Sequence, residues 1–233
     1  MASAFVFPGG AAEPGEGAKA AAARELFEEA GILLACGGDP DPATRAALRK
    51  RILDGGDADA ALADHSLAWS TEPLVPWSHW ITPSIEPKRF SARFFVSELP
   101  AGQQPEFDAI ETVDQVWETP EGAIARAKEL ALPPPQIRTC WELAEYDTVE
   151  AVLAAARRRA AEPHPIIPRL RTNDSAGAPC LLLPWDPEYD VRGTGDSSPL
   201  AFRPSWARGP SRFVMEDQTW KHVLAPGSTT AGS

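Results

Sequence analysis

The chain is poor in the residues that staple or anchor a protein. Its 233 residues include only three cysteines, Cys36, Cys140 and Cys180, scattered far apart. They form no disulfide framework and no zinc spacing, and they read as reduced thiols of a cytosolic protein. No apolar run reaches about 18 residues, so no transmembrane helix is expected. Met1–Gly10 has neither a basic start nor a long apolar stretch, which argues against a usual secretory signal. Positive charge is also short, with 22 Lys and Arg against 33 Asp and Glu and a formal net charge of -11. Coating nucleic acid or an anionic membrane needs a basic surface, so neither is an expected partner. The four histidines, His65, His79, His164 and His222, show no HxH or HExxH spacing and read as surface or loop residues. Neither Cys140 nor Cys180 has a histidine nearby in sequence to activate it. No internal repeat is apparent.

What is present is an ordinary globular composition, 43% hydrophobic and 24% charged, punctuated by 24 prolines that predict many loops and element ends. Ala4–Phe7 reads as a short strand entering the Pro8-Gly9-Gly10 loop. Gly17–Leu34, rich in Ala, Glu and Leu and free of proline, reads as a helix. Residues 41–68 read as two helical pieces divided near Gly55-Gly56, with Leu48, Ile52 and Leu53 at helical spacing. Trp69–Pro87 reads as a loop, Arg89–Glu98 and Thr112–Trp117 as strands, and Pro120–Leu130 and 136–160 as helices. After Pro163 the texture becomes irregular and β-containing, ending in a disordered tail at Pro226–Ser233. These readings divide the chain into a domain at 1–160, with a helical insertion at about 36–70, and an extension at 161–233.

The informative residues lie in the first helix and the loop before it. Five acids, Glu13, Glu16, Glu25, Glu28 and Glu29, fall within seventeen residues. On a helical wheel Glu25, Glu28 and Glu29 stand at roughly 0°, 300° and 40°, so three carboxylates share one face. Glu25 and Glu29 repel as an i, i+4 pair by about a few tenths of a kcal/mol. The positions four residues after each glutamate hold Glu29, Ile32 and Leu33, so no cation follows to relieve them. Such a face calls for a cation, and hard divalent ions such as Mg²⁺ take carboxylates, water and substrate phosphates as ligands. An ordinary solvated acidic face is the competing reading of the three glutamates alone.

The residues around them carry more. Gly10, Glu16, Arg24-Glu25-Leu26, Glu28-Glu29 and Gly31-Ile32 fill every defined position of G-x5-E-x7-R-E-U-x-E-E-x-G-U, where U is a bulky aliphatic residue. This stretch resembles the Nudix box. The resemblance implies an α/β fold, a Nudix-type α/β/α sandwich with a mixed sheet, and here a helical insertion after the box. Since only six residues separate Met1 from Pro8, one or more N-terminal strands are expected to be missing from this sheet. It further implies Glu25, Glu28 and Glu29, with the Gly9 carbonyl, as ligands for Mg²⁺ or Mn²⁺, one of the glutamates or a later one acting as base. Arg24 resembles the arginine that orients a catalytic glutamate, Glu16 the residue that ties loop to helix, and Gly10 and Gly31 positions that serve backbone geometry. The additional loop glutamate found in many Nudix enzymes is assigned first to Glu111 and second to Glu106.

Leu74–Thr82 (LVPWSHWIT), Pro87–Phe95 (PKRFSARFF) and Leu132–Gln136 (LPPPQ) resemble the peroxisomal acyl-CoA diphosphatase branch and its bacterial relatives. That likeness implies hydrolysis of CoA or its thioesters to 3',5'-ADP and a phosphopantetheine product. Lys88, Arg89 and Arg93 are candidates to meet substrate phosphates, and Trp80, with Trp77, to stack on adenine, with core packing the competing role for both tryptophans. Arg157–Arg159 reads as a helix end complementing its dipole. The expected setting is cytoplasmic with a small-molecule substrate, homodimerisation being left open.

Overall fold

The computed structural model describes residues 4–105, 115–161, 164–171, 178–196 and 204–226. They form a mixed α/β structure with three sheets, and the chain divides into two compact units.

One unit contains residues 7–75 with the described parts of 95–117. Its first helix, α1 (Ala18–Ala30), ends at Gly31 in the left-handed conformation, φ 69°, where the Gly31 N–H donates to the Phe27 carbonyl. Glycine is the residue that adopts this conformation without a Cβ penalty. The chain then enters β1 (Ala35–Cys36), α2 (Pro42–Leu53), α3 (Ala58–Ala63) and β2 (Ala68–Trp69). Both helices start locally. Asp41 accepts from the Ala43 and Thr44 N–H groups with Pro42 in the first turn, and Asp57 accepts from Ala60. The helices part at Gly55-Gly56 as expected. β1 pairs antiparallel with β2. Phe27 packs with Leu33, Leu48, Ile52, Leu62 and Leu67, and Ala23 with Leu34 and Leu74. One face of α1 is thereby buried at Ala23, Phe27 and Ala30, and its carboxylates must lie on the others.

The second unit contains residues 4–6, 76–94 and the described residues from 118 onward. Two strands, β3 (Val75–Ile81) and β4 (Ser91–Val96), are neighbours. Three helices follow, α4 (Pro120–Ala125), α5 (Pro134–Leu143) and α6 (Val149–Ala160). β5 (Pro165–Ile166) then pairs parallel with β3, placing Trp80 opposite Ile166. The rest is β6 (Arg169–Arg171), β7 (Cys180–Leu182), a short helix α7 (Tyr189–Arg192), β8 (Gly193–Thr194), β9 (Arg212–Glu216) and β10 (Thr219–Val223). These five strands form an antiparallel sheet in the order β10-β9-β7-β6-β8.

Several expectations change here. Trp69–Pro87 is not a loop throughout, because β3 runs through it despite Pro76, and its buried residues Trp77 and Trp80 supply the apolar surface that proline density concealed. Ala4–Phe7 forms no strand; Phe5 instead donates its N–H to the Leu130 carbonyl at 3.0 Å. Of Thr112–Trp117, Gln115–Trp117 is not strand and the rest lies outside the described residues. The stretch after Pro163 is more ordered than its texture suggests. Leu182, Leu183 and Phe213 are fully buried, and Asp186 accepts two guanidinium bonds from Arg212, 2.9 and 2.7 Å, and the Ser211 hydroxyl at 2.6 Å. His222 is not a surface histidine: it stacks on Phe213 with centroids 4.4 Å apart, and burial holds its pKa well below the usual histidine value. Arg159 is not merely a solvated dipole complement, since it turns inward between Trp77 and Trp206, 4.1 and 4.8 Å from their ring centroids.

Arg159 belongs to a buried ionic network. Glu142 receives Arg138 at 2.7 Å, Arg159 at 2.8 Å and the Trp77 indole N–H at 2.9 Å. Arg138, 1% exposed, also donates to the Trp206, Arg208 and Pro210 carbonyls. Burial costs such charges several kcal/mol each, and a single carboxylate compensates two guanidiniums. Glu142→Leu is therefore expected to destabilise the chain by about 3–5 kcal/mol in denaturant unfolding. A loss under about 1 kcal/mol would show that the pair is not the compensating interaction.

Candidate functional site

The nine-position motif folds into a loop followed by α1, and Arg24 is the point on which they converge. Its Nε donates to Glu16 Oε1 at 3.1 Å and one terminal nitrogen to Glu16 Oε2 at 3.0 Å. The same nitrogen reaches the Ala11 carbonyl at 3.1 Å. The other donates to Glu25 Oε1 at 3.0 Å and to Glu28 Oε2 at 3.1 Å. One largely buried guanidinium thus spans three carboxylates and a loop carbonyl, using the planar donor fork that lysine lacks. The bare carboxylate face expected from spacing is corrected: the relieving cation precedes Glu28 by four residues instead of following it.

The loop is held at two other points. Glu16 Oε2 accepts the Glu13 N–H at 2.8 Å, and Glu29 Oε2 accepts the Gly9 N–H at 2.9 Å. Gly10 lies so close to Glu25 that a Cβ there would collide with the Glu25 carboxylate. Gly9, Gly10, Glu16, Arg24, Glu25, Glu28, Glu29 and Gly31 therefore lie in one unit around one helix. Lys88, Arg89, Arg93 and Trp80 belong to the other unit. Lys88 lies over the Phe90 ring at 5.0 Å, and Arg89 pairs with Asp196 at 3.2 Å; Arg93 is exposed. Trp80 is 4% exposed and packed among Ile137, Ile166 and Phe213. Its ring is spent on the core, which removes it as a stacking wall for a base. Glu111 and Glu106 lie outside the described residues. Cys140 offers no nucleophile, since burial pushes its thiol up to about 11.

Electrostatics divides the glutamates. Hydrogen bonding from Arg24 holds Glu16 below the usual carboxylate value. Glu28 is pushed up, first by burial and then by the negative charges of Glu25 and Glu13, against the opposing pull of Arg24. Arg24 therefore offsets only part of what burial costs the Glu28 carboxylate. It engages one oxygen of Glu25 and one of Glu28, so each carboxylate keeps a second oxygen for a ligand. The donor set, carboxylate oxygens with a backbone carbonyl, fits a hard divalent cation. In the conformation described, no group of three acidic, His or Cys side chains is gathered as a ready metal cluster among the described residues.

Three residues outside the motif complete the surroundings. Arg49 on α2, 6% exposed, donates to the Glu28 carbonyl at 3.0 and 2.8 Å and to the Glu29 carbonyl at 2.9 Å. Gln115 donates to the Glu29 carbonyl at 2.7 Å. Gln103 pairs with both the N–H and the C=O of Leu33 at 2.8 and 3.0 Å, as a neighbouring strand would. Sequence reading missed all three. The available signal was the stripe Arg45, Leu48, Arg49, Ile52, at i, i+3, i+4 and i+7 on α2, all four buried.

The loop and α1 thus gather Glu16, Glu25 and Glu28 on Arg24, with Glu29 held to the Gly9 N–H beside them. The NUDIX domain matches residues 2–51. A Caenorhabditis elegans protein with the provisional name nudix hydrolase 7 is 29% identical over 154 residues, covering 62% of this chain and 52% of that protein. The chain thus spans about half the length of this curated relative. The crystal structure of a Nudix hydrolase from Alicyclobacillus acidocaldarius is similar with a TM-score of 0.53 and 25% identity, over 65% of this chain and 72% of that one. Each of these likenesses is to a Nudix domain or a Nudix hydrolase, the domain match lying in residues 2–51. Nudix hydrolases generally use divalent metal ions and act on small molecules. No helix among the described residues is long and apolar enough to cross a membrane.

The lowered Glu16 fixes the sign of one pH effect. A carboxylate whose folded pKa lies below its unfolded value of about 4.3 contributes stability that is fully present above that value and is lost as pH falls through the folded one. The melting-temperature gap between wild type and Glu16→Gln is therefore expected to be full near neutral pH and to close on acidification below about pH 4. A gap that widens in acid would contradict the Arg24–Glu16 assignment.

Proposed function

We propose that this protein hydrolyses a diphosphate linkage in a nucleoside diphosphate derivative, with CoA or acyl-CoA as substrate and 3',5'-ADP and (acyl-)phosphopantetheine as products. The observation that carries the hydrolase reading is the cluster of Glu16, Glu25 and Glu28 on Arg24, with Glu29 on the same helix bonded to the Gly9 N–H. Glu25, Glu28, Glu29 and the Gly9 carbonyl are the residues assigned to hold Mg²⁺ or Mn²⁺. When bound, the ion supplies Lewis-acid polarisation of a phosphoryl oxygen and a more acidic water.

The chain's own groups do the rest. Glu25, or Glu111, accepts the proton of the attacking water, and Arg24 keeps Glu25 and Glu28 turned along one side of the helix. Glu16 fixes the loop so that the Gly9 and Gly10 backbone stays beside the carboxylates. The CoA assignment is supported by the likeness of LVPWSHWIT, PKRFSARFF and LPPPQ to the acyl-CoA diphosphatase branch; Lys88, Arg89 and Arg93 are its candidate phosphate contacts. The domain reading, 1–160 with an extension at 161–233, and the cytoplasmic setting are parts of this proposal. A dinucleotide or nucleotide-sugar substrate is the alternative within the class. A catalytically silent Nudix-like binding module is the second reading, favoured by Arg24 already engaging one oxygen each of Glu25 and Glu28.

CoA, acetyl-CoA, NADH, ADP-ribose and nucleoside triphosphates, each assayed with Mg²⁺ and Mn²⁺, separate these readings. The expected result is CoA turnover that chelator abolishes and Mg²⁺ restores, with Glu25→Gln and Glu28→Gln each reduced by about 100-fold or more. No turnover of any of these substrates by wild type would leave the silent module as the reading.

A further inference from the structure

The last turn of a helix leaves carbonyls without intrahelical partners, and on α1 this turn carries two of the proposed metal ligands. The Phe27 carbonyl is taken by the Gly31 N–H. The next two carbonyls, of Glu28 and Glu29, are taken by side chains from elsewhere in the same unit. Arg49 supplies three bonds of 2.8–3.0 Å, and Gln115 supplies one of 2.7 Å. A guanidinium at a helix C-terminus also complements the negative end of the dipole. The Arg49 guanidinium is buried, so its bonds to these carbonyls compete with little water.

We infer that Arg49, assisted by Gln115, is a positioning residue that holds the backbone of Glu28 and Glu29 so that their carboxylates meet a divalent cation in a fixed geometry. This rests on the metal-dependent reading of the site given above. Arg49 touches neither carboxylate. It acts by denying the final turn the freedom to fray, and fraying would displace both ligands together. Glu25 lies one turn earlier, where the α1 hydrogen-bond ladder already holds it, so the dependence on Arg49 falls on Glu28 and Glu29. Partners of this outer kind commonly change metal affinity by 10–100-fold when removed. Lysine keeps the charge but has no planar fork to span two carbonyls, so Arg49→Lys falls between wild type and Arg49→Gln.

The test measures Mn²⁺ binding to the full chain without substrate, from the paramagnetic resonance signal of the free ion, beside thermal melting of the metal-free protein. The expected result is about a 10-fold or greater rise in the Mn²⁺ dissociation constant for Arg49→Gln, a smaller rise for Gln115→Leu and an intermediate one for Arg49→Lys. Should Arg49→Gln not fold, Gln115→Leu and Arg49→Lys decide by the same measure. Variants that fold and bind Mn²⁺ within about 2-fold of wild type, even with lowered melting temperatures, overturn the positioning role and leave a purely structural one. A wild-type chain that binds no Mn²⁺ overturns the metal reading and this role with it, whereas tight wild-type binding unchanged by the variants overturns the role alone.

Discussion

Everything proposed for this chain depends on where the Arg24 guanidinium places its donors. A buried cation can stay charged only if acceptors surround it, and here those acceptors come from two directions. The loop contributes Glu16 and the Ala11 carbonyl; the helix contributes Glu25 and Glu28. Satisfying Arg24 therefore folds the loop back against the helix, and that brings Gly9 within hydrogen-bonding reach of Glu29. The carboxylates emerge unequal. Glu16 is committed to Arg24 and held low, while Glu28, more desolvated and facing Glu25 and Glu13, is pushed up.

The helix can carry this charge because its other faces are fully used. Ala23, Phe27 and Ala30 are buried, and Phe27 sits at the centre of the cluster built by Leu33, Leu48, Ile52 and Leu62. That burial offsets the repulsion among neighbouring glutamates, which costs only about tenths of a kcal/mol per pair. The insertion that supplies Leu48 and Ile52 also supplies Arg49, so the same helix packs α1 and closes its C-terminal carbonyls.

The site was legible to the extent that it is local. Glu25, Glu28 and Glu29 share one side of a helix by periodicity alone, and the helix itself needed only Ala, Leu and Glu propensity with Gly31 as a stop. The division of the insertion at Gly55-Gly56 was legible for the same reason. The carboxylate face was misread as bare because only following positions were weighed, whereas Arg24 reaches forward from within the helix. Arg49, Gln103 and Gln115 left almost no trace, since a polar side chain that bonds a distant carbonyl has no sequence period. β3 was hidden by prolines, and β5 and β9 form against strands far off in sequence, with Trp80 opposite Ile166 and Cys180 opposite Val214.

The sequence by itself determined the box, the helix that bears it and the acidity of that helix, because all three follow from spacings within one or two turns. Only the tertiary structure decided how the negative charge is shared out. It took Arg24 into the cluster, pinned Glu29 to Gly9 and closed the helix end with Arg49 and Gln115. It also turned Arg159 and His222 inward, two residues whose sequence setting suggested the surface. The reason is common to all of them. Desolvation and hydrogen-bond satisfaction are properties of the packed chain, and no short-range pattern records which distant atom will meet the demand.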